Sequence, residues 1–95
     1  MASIRDLKKD IDYLTYEVLA DCFAYLEVNP KGKKDEIISI VNDTVDLRNG
    51  LIVRVNNPEE KDNPRILKTH FQTVRKDLFV GVDKLFSRLS AVSGK

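Results

Sequence analysis

The sequence predicts an all-α fold, a bundle of three long antiparallel helices in an up-down-up arrangement. Apolar residues recur at steps of three and four along most of the 95-residue chain, which is the spacing of one face of an α-helix. Proline follows asparagine at each of its three occurrences, and the residue before proline is biased away from helix. These dipeptides divide the chain into three segments and are Asn29-Pro30, Asn57-Pro58 and Asn63-Pro64.

The first helix is predicted over about residues 3–28. Its main apolar stripe follows helical spacing and consists of Ile4, Leu7, Ile11, Leu14, Val18, Cys22 and Tyr25. A second stripe lies roughly a quarter to a third of a turn away, at ~100° per residue. It consists of Tyr16, Leu19, Phe23 and Leu26. The later half of this helix is therefore apolar over an unusually wide arc.

The second helix is predicted over about residues 33–56, and here two structures compete. Asn49-Gly50 between apolar runs is a signal for a β-hairpin. On a helical wheel, however, most apolar residues of 35–55 fall within one half, whereas the alternation of a hairpin would put Asn49 on the apolar face and Ile52 on the polar one. A helix accommodates Gly50 at a cost of only about 1 kcal/mol. We therefore predict a continuous helix.

The third helix is predicted over about residues 64–92. Its apolar stripe again follows steps of three and four and consists of Leu67, Phe71, Val74, Leu78, Val82, Leu85, Leu89 and Val92. Phe79 and Phe86 lie on the flank of that stripe. The first turn is predicted at Lys31-Gly32 and the second over residues 58–62, with room for one helical turn of its own. Connections this short make neighbouring helices antiparallel.

The overall composition is that of a single folded domain with a nearly balanced charge. Its 16 basic and 15 acidic side chains create no global field that would attract nucleic acid or an anionic membrane. No apolar run approaches the ~20 residues that cross a bilayer. A single cysteine excludes an intramolecular disulfide and fits a reducing compartment. We therefore expect a cytoplasmic protein that does not bind membranes.

The residues that usually carry chemistry are scarce. His70 is the only histidine and Cys22 the only cysteine, and there is no glycine-rich phosphate loop. Cys22 lies on an apolar stripe, which predicts a core side chain, and His70 lies at the edge of one, which predicts a partly exposed structural histidine. We expect no catalytic residues, no metal site, no cofactor and no small-molecule substrate, and hence no enzyme.

Arg48 stands out because it lies in the middle of the apolar half of the second helix. A buried, unpaired guanidinium would be very costly, so this side chain must extend to solvent or meet a carboxylate. The antiparallel arrangement places Arg48 near the level of Leu14, within reach of Asp10 or Glu17. We predict a structural ion pair or a side chain that extends to solvent, with a charge at an oligomer interface and a functional pocket as alternatives.

Charge is shared unevenly among the three segments. Residues 63–95 hold seven basic and two acidic side chains, whereas residues 1–29 hold three and six. Four bases cluster opposite the apolar stripe of the third helix: Arg65, Lys68, Arg75 and Lys76. One interpretation is a phosphate-contacting face of a nucleic-acid-binding protein. The other is a solvated helix face attracted to the acidic first helix.

The surplus apolar surface leads to the main functional hypothesis. Six side chains exceed what one stripe per helix requires: Tyr16, Leu19, Phe23, Leu26, Phe79 and Phe86. A three-helix bundle uses part of such a surplus, and the rest can close against a second copy or a protein partner. We expect a homodimer, with a broadly packed monomer as the alternative.

Two segments carry a resemblance, VDLRNGLIVRVNNPEEKDNP over residues 45–64 and VRKDLFVGVDKLFSRLS over residues 74–90. Through them the chain resembles short, uncharacterised all-helical bacterial proteins. The resemblance covers most of the length and implies an all-helical fold. It contains no catalytic or binding signature, so it implies no activity.

Overall fold

The computed structural model describes residues 4–58 and 62–93 and contains three long helices. They are α1 (Ile4–Val28), α2 (Lys34–Asn56) and α3 (Pro64–Ser93). The all-α prediction is confirmed, and none of the described residues forms a strand. Helix α2 continues through Gly50, so the hairpin alternative is excluded. The predicted start of the first helix at residue 3 and most of the second turn, residues 59–61, lie outside the described residues.

The apolar stripes of the three helices meet in one elongated core. The side chains that are less than 2% exposed lie along its whole length and are Ile11, Val18, Cys22, Ile37, Ile40, Thr44, Val55, Val74 and Leu78. The bundle measures 53 × 20 × 18 Å and has a radius of gyration of 15.5 Å, whereas a compact domain of this length would have about 12–13 Å. Nearly every residue therefore lies close to the surface, and each pair of helices forms a long seam.

The Asn-Pro dipeptides mark helix boundaries, but only one of them caps a helix start. The Oδ1 of Asn63 accepts hydrogen bonds from the backbone N–H groups of Arg65 and Ile66, so Asn63 caps the N-terminus of α3. Asn29 and Asn57 instead donate their side-chain N–H groups to carbonyls in the last turns of α1 and α2. Their amides thus satisfy orphan acceptors at helix C-termini.

The seam between α2 and α3 is held by polar contacts. Arg54 donates to Asp77 across 2.8 Å, and Arg88 donates to Asp43. The side chain of Leu47 also packs directly against the backbone of α3, because a Cβ atom added at Gly81 would lie 2.8 Å from Cδ2 of Leu47. Gly50, by contrast, has no neighbour within 4 Å of such an atom. The two glycines are thus helical for different reasons: one permits close packing, and the other is merely tolerated.

His70 adds a further polar contact to the α2–α3 seam. Its Nε2 lies 2.8 Å from the backbone carbonyl of Arg54, which can only accept a hydrogen bond, so Nε2 carries the proton. That carbonyl belongs to the last turn of α2, whose acceptors have no partner within the helix. His70 therefore ties the C-terminus of α2 to α3. The prediction of a partly exposed structural histidine is confirmed.

Candidate protein-interaction face

Helices α1 and α2 carry second apolar stripes that flank the seam between them on the side away from α3. On α1, Tyr16, Leu19 and Phe23 lie within about 40° of Asp12, which contacts α2, and Tyr13 lies about 60° beyond Tyr16 at the edge of the face, at ~100° per residue. On α2 it follows the same three-and-four spacing around Arg48. We call this surface the outer α1–α2 face and define it by Tyr13, Tyr16, Leu19 and Phe23 of α1 and Ile38, Val41, Val45, Arg48 and Ile52 of α2.

Large apolar side chains on this face are open to solvent. The exposed fraction is 69% for Tyr16, 56% for Phe23 and 63% for Tyr13, and Ile38 and Val45 are each exposed by about 40%. The contact between Asp12 and Arg48 sets the axial register, so seven residues further along the antiparallel pair Leu19 lies level with Val41. The exposed side chains of α1 and α2 therefore form a continuous surface rather than isolated positions.

A groove of about 500 Å³ runs along the middle of the face. It is lined by Asp12, Tyr13, Thr15, Tyr16, Leu19, Thr44, Val45 and Arg48. At its floor the buried hydroxyls of Thr15 and Thr44 donate to the carbonyls of Ile11 and Ile40, each across 2.7 Å. These hydroxyl protons are therefore already engaged within their own helices. The groove is accordingly an apolar depression, with charge only at its rim.

The rim charge is Arg48, and its partner differs from the predicted ones. Arg48 Nε donates to Asp12 Oδ1 across 2.9 Å, and its guanidinium also donates to the side chain of Asn49. The predicted ion pair is thus confirmed, but neither Asp10 nor Glu17 supplies the carboxylate. Asp10 accepts from Arg75 on the other side of α1, since two residues of sequence rotate a side chain by ~200° around a helix.

Tyr13 is tied to its own helix by Glu17, one turn further along. The carboxylate accepts the hydrogen bond of the phenol and, with its charge and some desolvation, raises the pKa of Tyr13. The hydroxyl therefore stays protonated throughout the neutral range. Tyr13 consequently presents a neutral, amphipathic ring at the edge of the face, and such rings are common in protein interfaces.

The six predicted partner-binding residues do not lie on one surface. Tyr16, Leu19 and Phe23 lie on the outer α1–α2 face, with Leu19 half-buried in the groove. Leu26 and Phe86 are half-buried and pack against the core, so the bundle itself uses much of their apolar surface. Phe79 is 53% exposed, but it follows Arg75 by one turn and so lies beside the α1–α3 seam. The partner-binding role of all six stays a prediction.

The α2 half of this face was not predicted from the sequence. The stripe of Ile38, Val41, Val45, Arg48 and Ile52 on α2 has the same spacing as the surplus stripe on α1 and was available as a signal. A helical wheel that separates only an apolar half from a polar half does not distinguish the α3-facing residues of α2 from the outward-facing ones. On such a wheel Arg48 lies within the apolar half, whereas in the structure it lies at the rim of the groove.

The basic cluster of α3 is only partly free. Arg75 is committed to Asp10 across 2.7 Å, in the only ion pair between α1 and α3 among the described residues. Arg65, Lys68 and Lys76 are exposed, and none of the four ion pairs of the described chain involves them. The structure therefore leaves three of the four bases on the solvent side of α3. Their nucleic-acid-binding role stays a prediction.

Cys22 is fully buried in the core, as predicted. Desolvation raises the pKa of its thiol, the charge of Asp21 raises it further, and the charge of Arg88 lowers it. Within residues 4–58 and 62–93, no group of three or more His, Cys, Asp or Glu side chains is placed to hold a metal ion. None of the described helices combines the length and apolarity required to cross a membrane.

Comparison with known proteins adds no family. No family model matches the chain, and no curated protein or solved structure is significantly similar to it. Its function must therefore be argued from its own surface.

Proposed function

We propose that this chain is a non-enzymatic module that self-associates through the outer α1–α2 face. The observation that carries the proposal is the pair of aromatic side chains Tyr16 and Phe23, which stand more than half exposed on a continuous apolar surface. Transferring a large apolar side chain out of water is worth about 1.5–3 kcal/mol. A face that leaves several of them in solvent gains stability when another apolar surface covers it.

The spacing of the exposed residues supports a helical partner. Both stripes of the face repeat at steps of three and four, the pattern by which one helix packs into another. Two adjacent antiparallel helices with such stripes are half of a four-helix arrangement. A second copy of this chain supplies the missing half without any further protein, and homodimers are the commonest oligomers.

The remaining features are compatible with an interaction module. The polar groups that usually carry chemistry are committed to structure, with Cys22 buried in the core and His70 bonded to the end of α2. The proposal includes a cytoplasmic location, because a free cysteine stays reduced in a reducing compartment.

The test is the mass of the protein in solution. Sedimentation equilibrium and light scattering at micromolar concentrations should give a dimer for the wild-type chain. The double substitution Tyr16→Ser/Phe23→Ser should give a monomer with an unchanged helical circular-dichroism spectrum, because both side chains are exposed. Phe79→Ser is the matched control, since it removes an equally exposed aromatic from the α1–α3 side. A wild-type chain that stays monomeric throughout would refute self-association.

A second candidate function rests on the three exposed bases of α3. Arg65, Lys68 and Lys76 would neutralise phosphates, so binding to generic DNA or RNA should weaken steeply with salt. The triple substitution to glutamine should abolish binding. Arg75→Gln should weaken it less, because that side chain is held by Asp10. Absence of binding at low salt would remove this candidate.

A further inference from the structure

The groove and the exposed aromatic of the outer α1–α2 face are complementary to each other. The groove is centred near the level of Thr15 and Tyr16, and Phe23 stands about 11 Å further along α1 at ~1.5 Å per residue. If two copies are related by a two-fold axis that crosses α1 at Leu19, the Phe23 ring of each copy lies over the groove of the other. This relation requires the two α1 helices to run antiparallel.

We infer that the occupant of this face is a second copy of the chain, packed with α1 antiparallel to α1 and with each Phe23 seated in the opposite groove. The inference rests on the proposed self-association and adds its geometry. Leu19 lies on the two-fold axis and faces its own counterpart. On α2 the same axis passes Val41, so that Val45 lies level with Ile38 of the second copy.

Charge at the edges of the face favours this orientation. Lys9 and Glu27 are exposed, and each lies within about 20° of Tyr16 around α1. In the antiparallel pair, Lys9 lies within about 3 Å of the axial level of Glu27 of the second copy, so opposite charges meet twice. A parallel pair would instead bring Lys9 to Lys9 and Glu27 to Glu27, and it would leave each Phe23 about 11 Å beyond the centre of the opposite groove.

The side of the bundle that carries the outer α1–α2 face has room for a dimer interface of standard size. A side of the bundle that measures 53 Å by about 20 Å presents roughly 1,000 Å² in projection. Stable interfaces of standard size bury about 800 Å² per partner. The resulting core would contain Tyr16, Leu19 and Phe23 from each α1, with Val41 and Val45 from each α2, and α3 would lie on the outside of both copies.

The geometry is tested by charge reversal and mixing. Lys9→Glu alone and Glu27→Lys alone should each raise the dimer dissociation constant about threefold to tenfold at low salt, because each makes two like-charge pairs. An equimolar mixture of the two variants should form the heterodimer in preference to either homodimer, since opposite charges then meet at both ends. The double variant Lys9→Glu/Glu27→Lys should regain the wild-type constant.

A second measurement locates the two-fold axis. Leu19→Cys should form an intermolecular disulfide under mild oxidation, whereas Ser87→Cys, exposed on α3, should not. The native Cys22 is fully buried and does not compete. Phe23→Ala should weaken the dimer at least about tenfold, while Phe79→Ala leaves it unchanged.

The outcomes separate the two proposals. A monomeric wild-type chain refutes self-association and this geometry together. A dimer whose dissociation constant is unchanged by Lys9→Glu and by Glu27→Lys, as expected for a parallel pair, overturns the antiparallel geometry alone. So does a dimer in which Ser87→Cys cross-links as readily as Leu19→Cys. A dimer in which α1 packs on α2 of the second copy would also be unaffected by the charge reversals, because Lys9 would then lie near Ile52 instead of Glu27. Such a dimer likewise overturns the antiparallel geometry.

Discussion

Helix α2 contacts α3 along one side and borders the outer α1–α2 face on the other, and the two regions differ in how their side chains are used. The first is closed by two ion pairs, a histidine that caps a carbonyl, and a glycine that admits a leucine side chain. The second has one ion pair at its rim, a groove of about 500 Å³ and exposed aromatic rings. Side chains that are already paired across a seam gain little when a partner covers them, whereas aromatic rings left in solvent, such as Tyr16 and Phe23, gain stability.

The largest difference between the two regions should appear when a leucine is truncated in each. Leu78 of α3 is fully buried, so Leu78→Ala should lower the free energy of unfolding by about 2–5 kcal/mol. Leu19 is half-buried in the groove, and Leu19→Ala should cost the isolated subunit about 1 kcal/mol or less. Urea denaturation at protein concentrations below the dimer dissociation constant measures both losses in unfolding free energy. Equal losses would show that the groove is as tightly packed as the core.

The core-facing side of α1 should exclude water as well as the α2–α3 seam does. The pH dependence of the unfolding free energy tests this at Cys22. Because burial raises the pKa of the thiol above its ordinary value of 9.0, the unfolded chain ionises first as pH rises. The associated stability is complete below that ordinary pKa and is lost as pH rises through the folded-state pKa, with a slope no steeper than about 1.4 kcal/mol per pH unit.

Cys22→Ala is the control for this alkaline loss. Tyrosine and lysine titrations are common to both proteins, so the difference between their unfolding free energies at pH 8–10.5 isolates the thiol. Parallel curves would mean that α1 opens readily and that Cys22 is solvated.

Removal of the histidine contact should weaken the α2–α3 seam by about 1 kcal/mol. His70→Ala leaves the carbonyl of Arg54 without its donor, and a single hydrogen bond is typically worth about that much. Thr73→Ala is a suitable control, because its hydroxyl bonds only to its own helix on the exposed side. Chemical denaturation of both variants gives the comparison, and a neutral His70→Ala would show that water replaces the imidazole without loss.

The two helical glycines should respond unequally to alanine. Gly50→Ala should stabilise the protein by about 0.5–1 kcal/mol, since the added methyl group meets open space and the helix gains propensity. Gly81→Ala gains the same propensity but must displace Leu47, so its net effect should be smaller or negative. Thermal unfolding of both variants decides the matter. A larger gain at Gly81 would contradict the close contact between Leu47 and the backbone of α3.

The smallest effects are expected from the ion pairs themselves. Double-mutant cycles on Arg54 with Asp77 and on Arg48 with Asp12 should each give a coupling of about 0.2–1 kcal/mol, because all four side chains are substantially exposed. Both couplings should fall at high salt. A coupling well above 1 kcal/mol for Arg48 with Asp12 would mean that the rim of the groove is itself a rigid element.

The helices could be predicted from sequence because apolar spacing reports helical periodicity directly, even through Gly50. The partner of Arg48 could not, because Asp10, Asp12 and Glu17 all lie within reach along the axis. The choice among them depends on how far α1 is rotated about its own axis. That rotation also determines how much of the Leu26 side chain is buried in the core.

The capping roles of the asparagines were undetermined for a different reason. Each Asn-Pro dipeptide marks a boundary, but whether the asparagine serves the preceding or the following helix depends on the length of the connection. Asn63 lies directly before α3 and caps its start, whereas Asn29 is separated from α2 by a turn and closes α1 instead.

Three helices rather than two or four give the rod a direction. Because the chain crosses its length an odd number of times, Ile4 and Ser93 lie at opposite ends of a body 53 Å long. Domains fused before the first and after the last of these residues would be held apart by a stiff spacer. In a two-fold pair with antiparallel α1 helices, a domain fused before Ile4 of one subunit would instead lie beside the domain fused after Ser93 of the other.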